Sequence, residues 1–211
     1  MALLHRAVVC MSVFALPAVA ESPLQRLDLA ARTAAFARAS GDPLALIVAA
    51  GLRASVSERL VERQPEHEGA AAAPGDGAEA GDTPASLAAE AVAMSGGDPV
   101  IAALAADLAA AARKGLAPGV AASRSTEPPG GADWYRGLKF EGGRRAETQI
   151  EILGGGDVNL FVYDGRGDLI CKDINPSATF FCGWNPPVTA AYTVKLENRG
   201  ASPVRYKIST N

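Results

Sequence analysis

The 211-residue chain carries 23 acidic and 20 basic side chains, 22 glycines, 14 prolines and 3 cysteines, room for one or two small domains. A formal charge of −3 excludes a general nucleic-acid binder, which needs a basic surface to displace counterions. No apolar run reaches the roughly 20 residues of a membrane-spanning helix, so no integral membrane segment is expected.

Residues 1–20 read as a Sec-type signal peptide. His5 and Arg6 give a short basic start, Ala7 to Leu16 an apolar run too short to span a bilayer, and Ala18-Val19-Ala20 a small-residue cleavage site. Cys10 lies inside that run and leaves with it. With Arg6 gone, 19 basic residues face 23 acidic ones, and the remainder holds one histidine, His67, and two cysteines, Cys171 and Cys182. Export implies a periplasmic or secreted protein in an oxidising compartment, where the two cysteines are disulfide candidates.

The next segment is alanine-rich and patterned for helices. Ser22-Pro23-Leu24-Gln25 spells a capping box with Pro at the first helical position, predicting a helix to about Ala39 that stops at Ser40-Gly41. Asp42-Pro43 starts a second, with Leu44, Ile47, Val48, Leu52, Val56 and Leu60 as its apolar stripe. Gly96-Gly97-Asp98-Pro99 repeats the Ser40-Gly41-Asp42-Pro43 joint, and predicts helices over about 84–94 and 99–114. The shared joint suggests a helical repeat. The expected organisation is a helical hairpin at 21–63, a disordered acidic linker at 64–83, a second helical hairpin at 84–116 and a further linker at 117–132. His67 falls in the acidic linker.

From residue 133 the pattern changes to period two. Thr148, Ile150 and Ile152 alternate with Gln149 and Glu151; Val158, Leu160 and Val162 with Asn159, Phe161 and Tyr163; Tyr192, Val194 and Leu196 with Thr193, Lys195 and Glu197; Val204, Tyr206 and Ile208 with Arg205 and Lys207. With segments near 136–141, 168–173 and 178–184 this gives about seven strands, each sheet with one buried and one wet face. A hairpin centred between Pro176 and Ser177 places Cys171 opposite Cys182 on neighbouring antiparallel strands, close enough to bridge. The fold class expected is α+β in two parts: N-terminal helical hairpins and a C-terminal antiparallel, jelly-roll-like β-sandwich over 133–211.

Within that second part, Asp157-Val158-Asn159-Leu160-Phe161-Val162-Tyr163-Asp164-Gly165 and then Gly167-Asp168-Leu169-Ile170 resemble the bacterial pre-peptidase C-terminal (PPC) domain. Trp184-Asn185-Pro186, the strand from Thr189 to Val194, Asn198-Arg199-Gly200 and the strand from Tyr206 to Ile208 follow in order. The resemblance implies an accessory β-sandwich appended to exported proteins, some of which bind matrix or calcium. It implies no activity, and Asn159 stands where the family often has Asp.

The chemistry-bearing residues are few. One histidine in a linker offers no rigid base for a nucleophile, and no Gly-x-Ser-x-Gly elbow is present. One histidine and two paired cysteines leave few ligands, so no zinc site is expected. Asp157, Asn159, Asp164 and Asp168 gather about two turns and are candidate calcium ligands, since calcium takes carboxylate and carbonyl oxygens. Phe161 and Tyr163 put an aromatic stripe on a nominally wet face and are the candidate binding surface. The expected function is a non-catalytic binding or interaction protein of the bacterial periplasm or cell exterior, with an envelope or extracellular protein or a glycan as partner, no catalytic residue and no cofactor beyond the calcium candidate. The alternative is an envelope hydrolase-associated or weakly carboxylate-catalytic protein, whose mark would be a carboxyl of raised pKa in a cleft.

Overall fold

The computed structural model describes residues 21–69, 81–111 and 117–211. The expected signal peptide with Cys10, residues 70–80 of the expected acidic linker and residues 112–116 of the expected second hairpin lie outside the described residues.

The helices start where their caps are written. α1 spans Pro23–Ser40; the Ser22 hydroxyl accepts from the Gln25 N–H while the Gln25 side chain accepts from the Ser22 N–H, and Gly41 closes the helix at φ 66°, a left-handed conformation that only glycine adopts without strain. α2 spans Pro43–Ala54, with the Asp42 carboxylate accepting from the Leu44 and Ala45 amides. α3 covers Pro84–Met94 and α4 Pro99–Ala111. Asp98 caps α4 through the Val100 and Ile101 amides, so both Gly-Asp-Pro joints are built alike. Leu46, Ile47, Leu87 and Ile101, with a set of alanines, form the core between the helices. Across their outer side Arg38 binds Asp82 and Glu90, tying α1 to the start and middle of α3.

The stripe expected for the second helix is corrected. Leu44 and Val48 are exposed, and Val56 and Leu60 are not helical. They belong to β1 (Val56–Leu60), which runs parallel to β3 (Ala117–Glu127). The linkers expected at 64–83 and 117–132 are corrected likewise. Residues 66–68 form β2 (Glu66–Glu68), and 117–127 form β3, held between β1 and β10. β3 is small and polar in sequence, so its extended form comes from backbone pairing on both sides rather than from side-chain propensity.

The remaining strands are β4 (Ala132–Phe140), β5 (Ala146–Leu153), β6 (Val158–Tyr163), β7 (Leu169–Asp173), β8 (Thr179–Trp184), β9 (Ala190–Asn198) and β10 (Val204–Thr210). Two five-stranded sheets result, in the orders β1-β3-β10-β5-β8 and β2-β4-β9-β6-β7. Ile150, Leu160, Val162, Phe180, Val194, Leu196, Tyr206 and Ile208 fill the space between them, with a knot of rings at one end: Phe140 lies 4.8 Å from Trp184, and Trp184 5.2 Å from Tyr192. The chain is an α+β protein with a β-sandwich.

The helices cover the first sheet. Leu24 and Leu27 of α1 pack with Val56, Val120 and Phe181 on its outer face. Gln149, Glu151 and Lys207, expected on wet faces, are therefore buried beneath them. Arg53 of α2, itself 2% exposed, reaches Glu151 of β5; Lys207 of β10 lies 2.9 Å from Glu151 and 2.6 Å from Glu58 of β1. Two cations and two anions thus balance under α2. Glu147 is held by Ser22 and Arg145 in the same way at the start of α1.

Cys171 and Cys182 form a disulfide with Cα atoms 5.9 Å apart. Its setting differs from the expected single hairpin: β7 is the last strand of one sheet and β8 the last of the other. The chain crosses between sheets at 174–178, so the bond joins the two sheets at their common edge.

Two outcomes follow for stability. Cys171→Ser with Cys182→Ser opens a short loop and lowers unfolding free energy by about 3 kcal/mol, read by denaturant titration against wild type with and without reductant. Arg53→Met leaves the buried charges unbalanced and costs about 3 kcal/mol, whereas Arg53→Met with Glu151→Met, which leaves Lys207 paired with Glu58, costs less than the single change.

Candidate functional site

With helices over the first sheet, the outer face of β2-β4-β9-β6-β7 is the broad face of the sandwich that no helix among the described residues covers. Strand register writes its surface. Glu66 pairs with Trp134, Trp134 with Lys195, Lys195 with Phe161 and Phe161 with Lys172, so these five side chains form one row across five strands. Tyr163 stands beside it, its ring 6.0 Å from Trp134 and 6.4 Å from Phe161, both near parallel. The Lys195 ammonium lies 4.6 Å from the Trp134 ring centroid and the Arg136 guanidinium 4.7 Å from it, within cation–π range. Acids hold these groups in place: Trp134 Nε1 donates to Glu68 at 2.8 Å, Arg136 pairs with Glu66 at 2.7 Å, and Lys195 pairs with Glu197. At the far edge a register shift sets Leu169 against Tyr163, and Leu169 and Ile170 are exposed there.

The candidate binding residues Phe161 and Tyr163 thus lie together on this face, half-buried. Trp134, Arg136 and Lys195 were missed; pairing register brings them in, and no spacing within one strand shows it. The four calcium candidates are not brought together. Asp157 and Asn159 sit at the start of β6 and Asp164 and Asp168 beyond its end, about 20 Å apart at a strand's rise per residue. Asp164 instead accepts from the Arg166 and Asp168 amides, and Arg166 pairs with both Asp164 and Asp168. These contacts to its own turn hold the Asp164 carboxyl below its ordinary value, the Asp168 amide contributing most.

A second constellation lies inside the sandwich beside β2. β2 pairs with β4 so that His67 meets Asp133. Alternation turns Glu66 and Glu68 outward and His67 inward, onto two buried acids: Asp133, which contacts Nδ1, and Glu127 of β3, whose Oε2 is 3.6 Å from Nδ1. The other Asp133 oxygen accepts from the Tyr206 hydroxyl and, at 3.3 Å, from Ser125; the Tyr135 and Tyr206 hydroxyls are 2.8 Å apart. A methyl at Gly131 would collide with Glu127 Oε1 and with the Glu68 carbonyl oxygen, so glycine makes the room the acid occupies. Burial, then the adjoining Asp133, pushes Glu127 up to about 9. Burial likewise raises Tyr135 and Tyr206 and lowers Arg63, which lies near Tyr135. A carboxyl of raised pKa is therefore present, but Glu127 and Asp133 are fully buried, and of the three cluster residues only His67 reaches solvent. His67 stands in a strand rather than in a linker; the Glu-His-Glu run is period-two alternation with the polar residues outside.

No family model matches the chain, and no curated protein matches it. Among solved structures it is similar to PliG of Aeromonas hydrophila, a periplasmic inhibitor of g-type lysozyme, over 44% of this chain and 84% of that one at 15% identity and a TM-score of 0.34. It is also similar to a carbohydrate-binding module of Cellvibrio mixtus lichenase 5A, over 42% and 86% at 12% identity and 0.27. A de novo designed double-stranded β-helix matches over 43% and 97% at 18% identity and 0.28.

The buried acid sets a pH dependence. Folded Glu127 holds its proton to about pH 9, whereas an unfolded glutamate loses it near 4.5. Between those values unfolding releases a proton, so Glu127's contribution is fully present below 4.5 and is lost as pH rises toward 9. In chelator, Glu127→Gln, which keeps the shape without a titrating proton, flattens that fall. Denaturation midpoints of both forms at pH 6, 7.5 and 9 check it, with His67, Asp133 and the two tyrosines unchanged.

Proposed function

We propose that this protein is an exported, non-catalytic binding module that holds a protein partner on the open face of its second sheet. The observation that carries the reading is the row of Trp134, Lys195 and Phe161 beside Tyr163 on a broad face that the described helices leave open. Trp, Tyr and Arg dominate the energetics of protein interfaces because they bury large area at low entropy cost and keep a polar handle. Here all three types lie within one patch, with the exposed Leu169 and Ile170 at its border. The Trp134 ring already has two cations against it, each paired with an acid of the same face, which favours a partner presenting apolar side chains over a sugar ring needing a bare aromatic face.

The disulfide supports placement outside the cytoplasm, where such bonds persist, and no helix among the described residues is long and apolar enough to cross a membrane. The PPC-like reading of 133–211 fits an accessory sandwich of this kind. The alternative, a carboxylate-catalytic envelope protein, draws on the raised Glu127; a substrate would have to displace His67 to reach that group.

The test uses immobilised residues 21–211 with envelope and secreted protein fractions, and separately with purified envelope glycans. Wild type retains one dominant protein, and Trp134→Ala with Tyr163→Ala weakens it at least about 30-fold, while Val188→Ala, at an exposed site between β8 and β9, has no effect. Retention unchanged in the double variant, or retention of glycan alone, overturns the reading.

A further inference from the structure

We propose that His67, Glu127 and Asp133 form a binding site for a divalent transition-metal ion of the zinc type. Three strands supply the donors: Nδ1 from β2, a carboxylate from β3 and a carboxylate from β4, their ligating atoms all within 4.8 Å of one another. That spread suits one ion with bonds of about 2.0–2.2 Å after small side-chain rotations. Imidazole nitrogen and carboxylate oxygen are both donors that zinc accepts, and three protein donors leave its fourth position open; the imidazole sets the preference against calcium, which needs six to eight oxygens.

Two further observations point to a ligand. Glu127 is 0% exposed, yet neither of its oxygens makes a hydrogen bond; its neighbours are the Asp133 carboxyl and the His67 ring. A buried carboxyl group whose oxygens make no hydrogen bond is costly, and a cation placed against it would supply the missing partner. Asp133, by contrast, is already oriented: Tyr206 and Ser125 hold Oδ2, and Oδ1 is turned to His67 with no hydrogen bond of its own. This is the outer support that metal-ligating carboxylates use. The His67 side chain is 41% exposed, which gives an ion its way in and leaves room for a water in the fourth position.

The site ties β2 to β3 and β4, and so clamps the two sheets at the edge opposite the disulfide. It shares no residue with the binding face proposed above.

The test is isothermal titration of untagged, metal-stripped residues 21–211 with Zn²⁺ alone, and separately with Ca²⁺ and Mg²⁺, followed by thermal melts. Wild type takes one Zn²⁺ per chain and melts higher with it, while Ca²⁺ and Mg²⁺ give neither effect. Glu127→Gln abolishes saturable binding, and His67→Ala weakens it at least about tenfold. Should Glu127→Gln not fold, His67→Ala, which removes a half-exposed side chain, decides alone. Absence of one-to-one Zn²⁺ binding, equal affinity in the variants, or Ca²⁺ binding as tight as Zn²⁺ each overturns the site.

Discussion

The ion cluster of Arg53, Glu58, Glu151 and Lys207 is the contact on which the architecture depends. It lies between α2 and the outer face of the first sheet, where Arg53 is 2% and Lys207 5% exposed at the side chain. Burying charge is unfavourable unless it is paired, so the polar outer residues of β5 and β10 tolerate cover only from a surface carrying the matching charges. α2 brings one at Arg53, and β1, which follows it directly, brings another at Glu58. The same constraint explains why α1 seats Ser22 over Glu147. The apolar part of the joint is small: Leu24, Leu27, Val56, Val120 and Phe181. Charge complementarity fixes where the helices dock, and this cluster fills the gap beneath.

From that docking follows the asymmetry of the molecule. One sheet is sealed between core and helices, so β5 is buried along its whole length, while the other keeps an outer face with alternating burial along β6 and β9. An uncovered face built only of solvated polar residues would need no explanation. This one gathers Trp134, Phe161 and Tyr163 and settles their polar neighbours in ion pairs along the same rows. Rigid rings framed by satisfied charges lose little freedom on contact, which is the property an interface anchor needs.

The helix starts were legible because each rests on a local rule: Ser22 with Gln25, Asp42 with Pro43, Asp98 with Pro99. The strands from β4 onward were legible because their apolar residues alternate. What failed was non-local. Val56 and Leu60 continue a helical stripe in spacing, yet pairing with β3 draws them into a sheet. Ala121-Ala122-Ser123 carries no strand pattern of its own and is extended because β1 and β10 hydrogen-bond to it from both sides. Gln149 and Lys207 alternate as wet-face residues do, and only the docked helices bury them. The cysteines paired as expected across a short turn, but a turn between sheets and a turn within one sheet have the same length in sequence. Phe161 and Tyr163 could be singled out from one strand. Trp134 and Lys195 join them only through register, and His67, Glu127 and Asp133 are brought together from 67, 127 and 133 by a topology that no spacing encodes.

The face and the buried cluster are two sides of one strand pair. Along β2 and β4, alternation sends Glu66, Glu68, Trp134 and Arg136 outward and His67 and Asp133 inward, so a one-residue slip would exchange the two sets. β2 has three residues and among the described strands pairs with β4 alone at the sheet's edge, and its two outward glutamates hold the Trp134 indole and the Arg136 guanidinium. Whatever fixes His67 against Asp133 and Glu127 therefore fixes the partners that orient the aromatic row. At the opposite edge the disulfide does the corresponding work for β7, whose Leu169 and Ile170 border the same face. The open face is thus framed at both ends by connections that pass through the sandwich to the sheet the helices cover, and its geometry follows from contacts made on the side a partner would never touch.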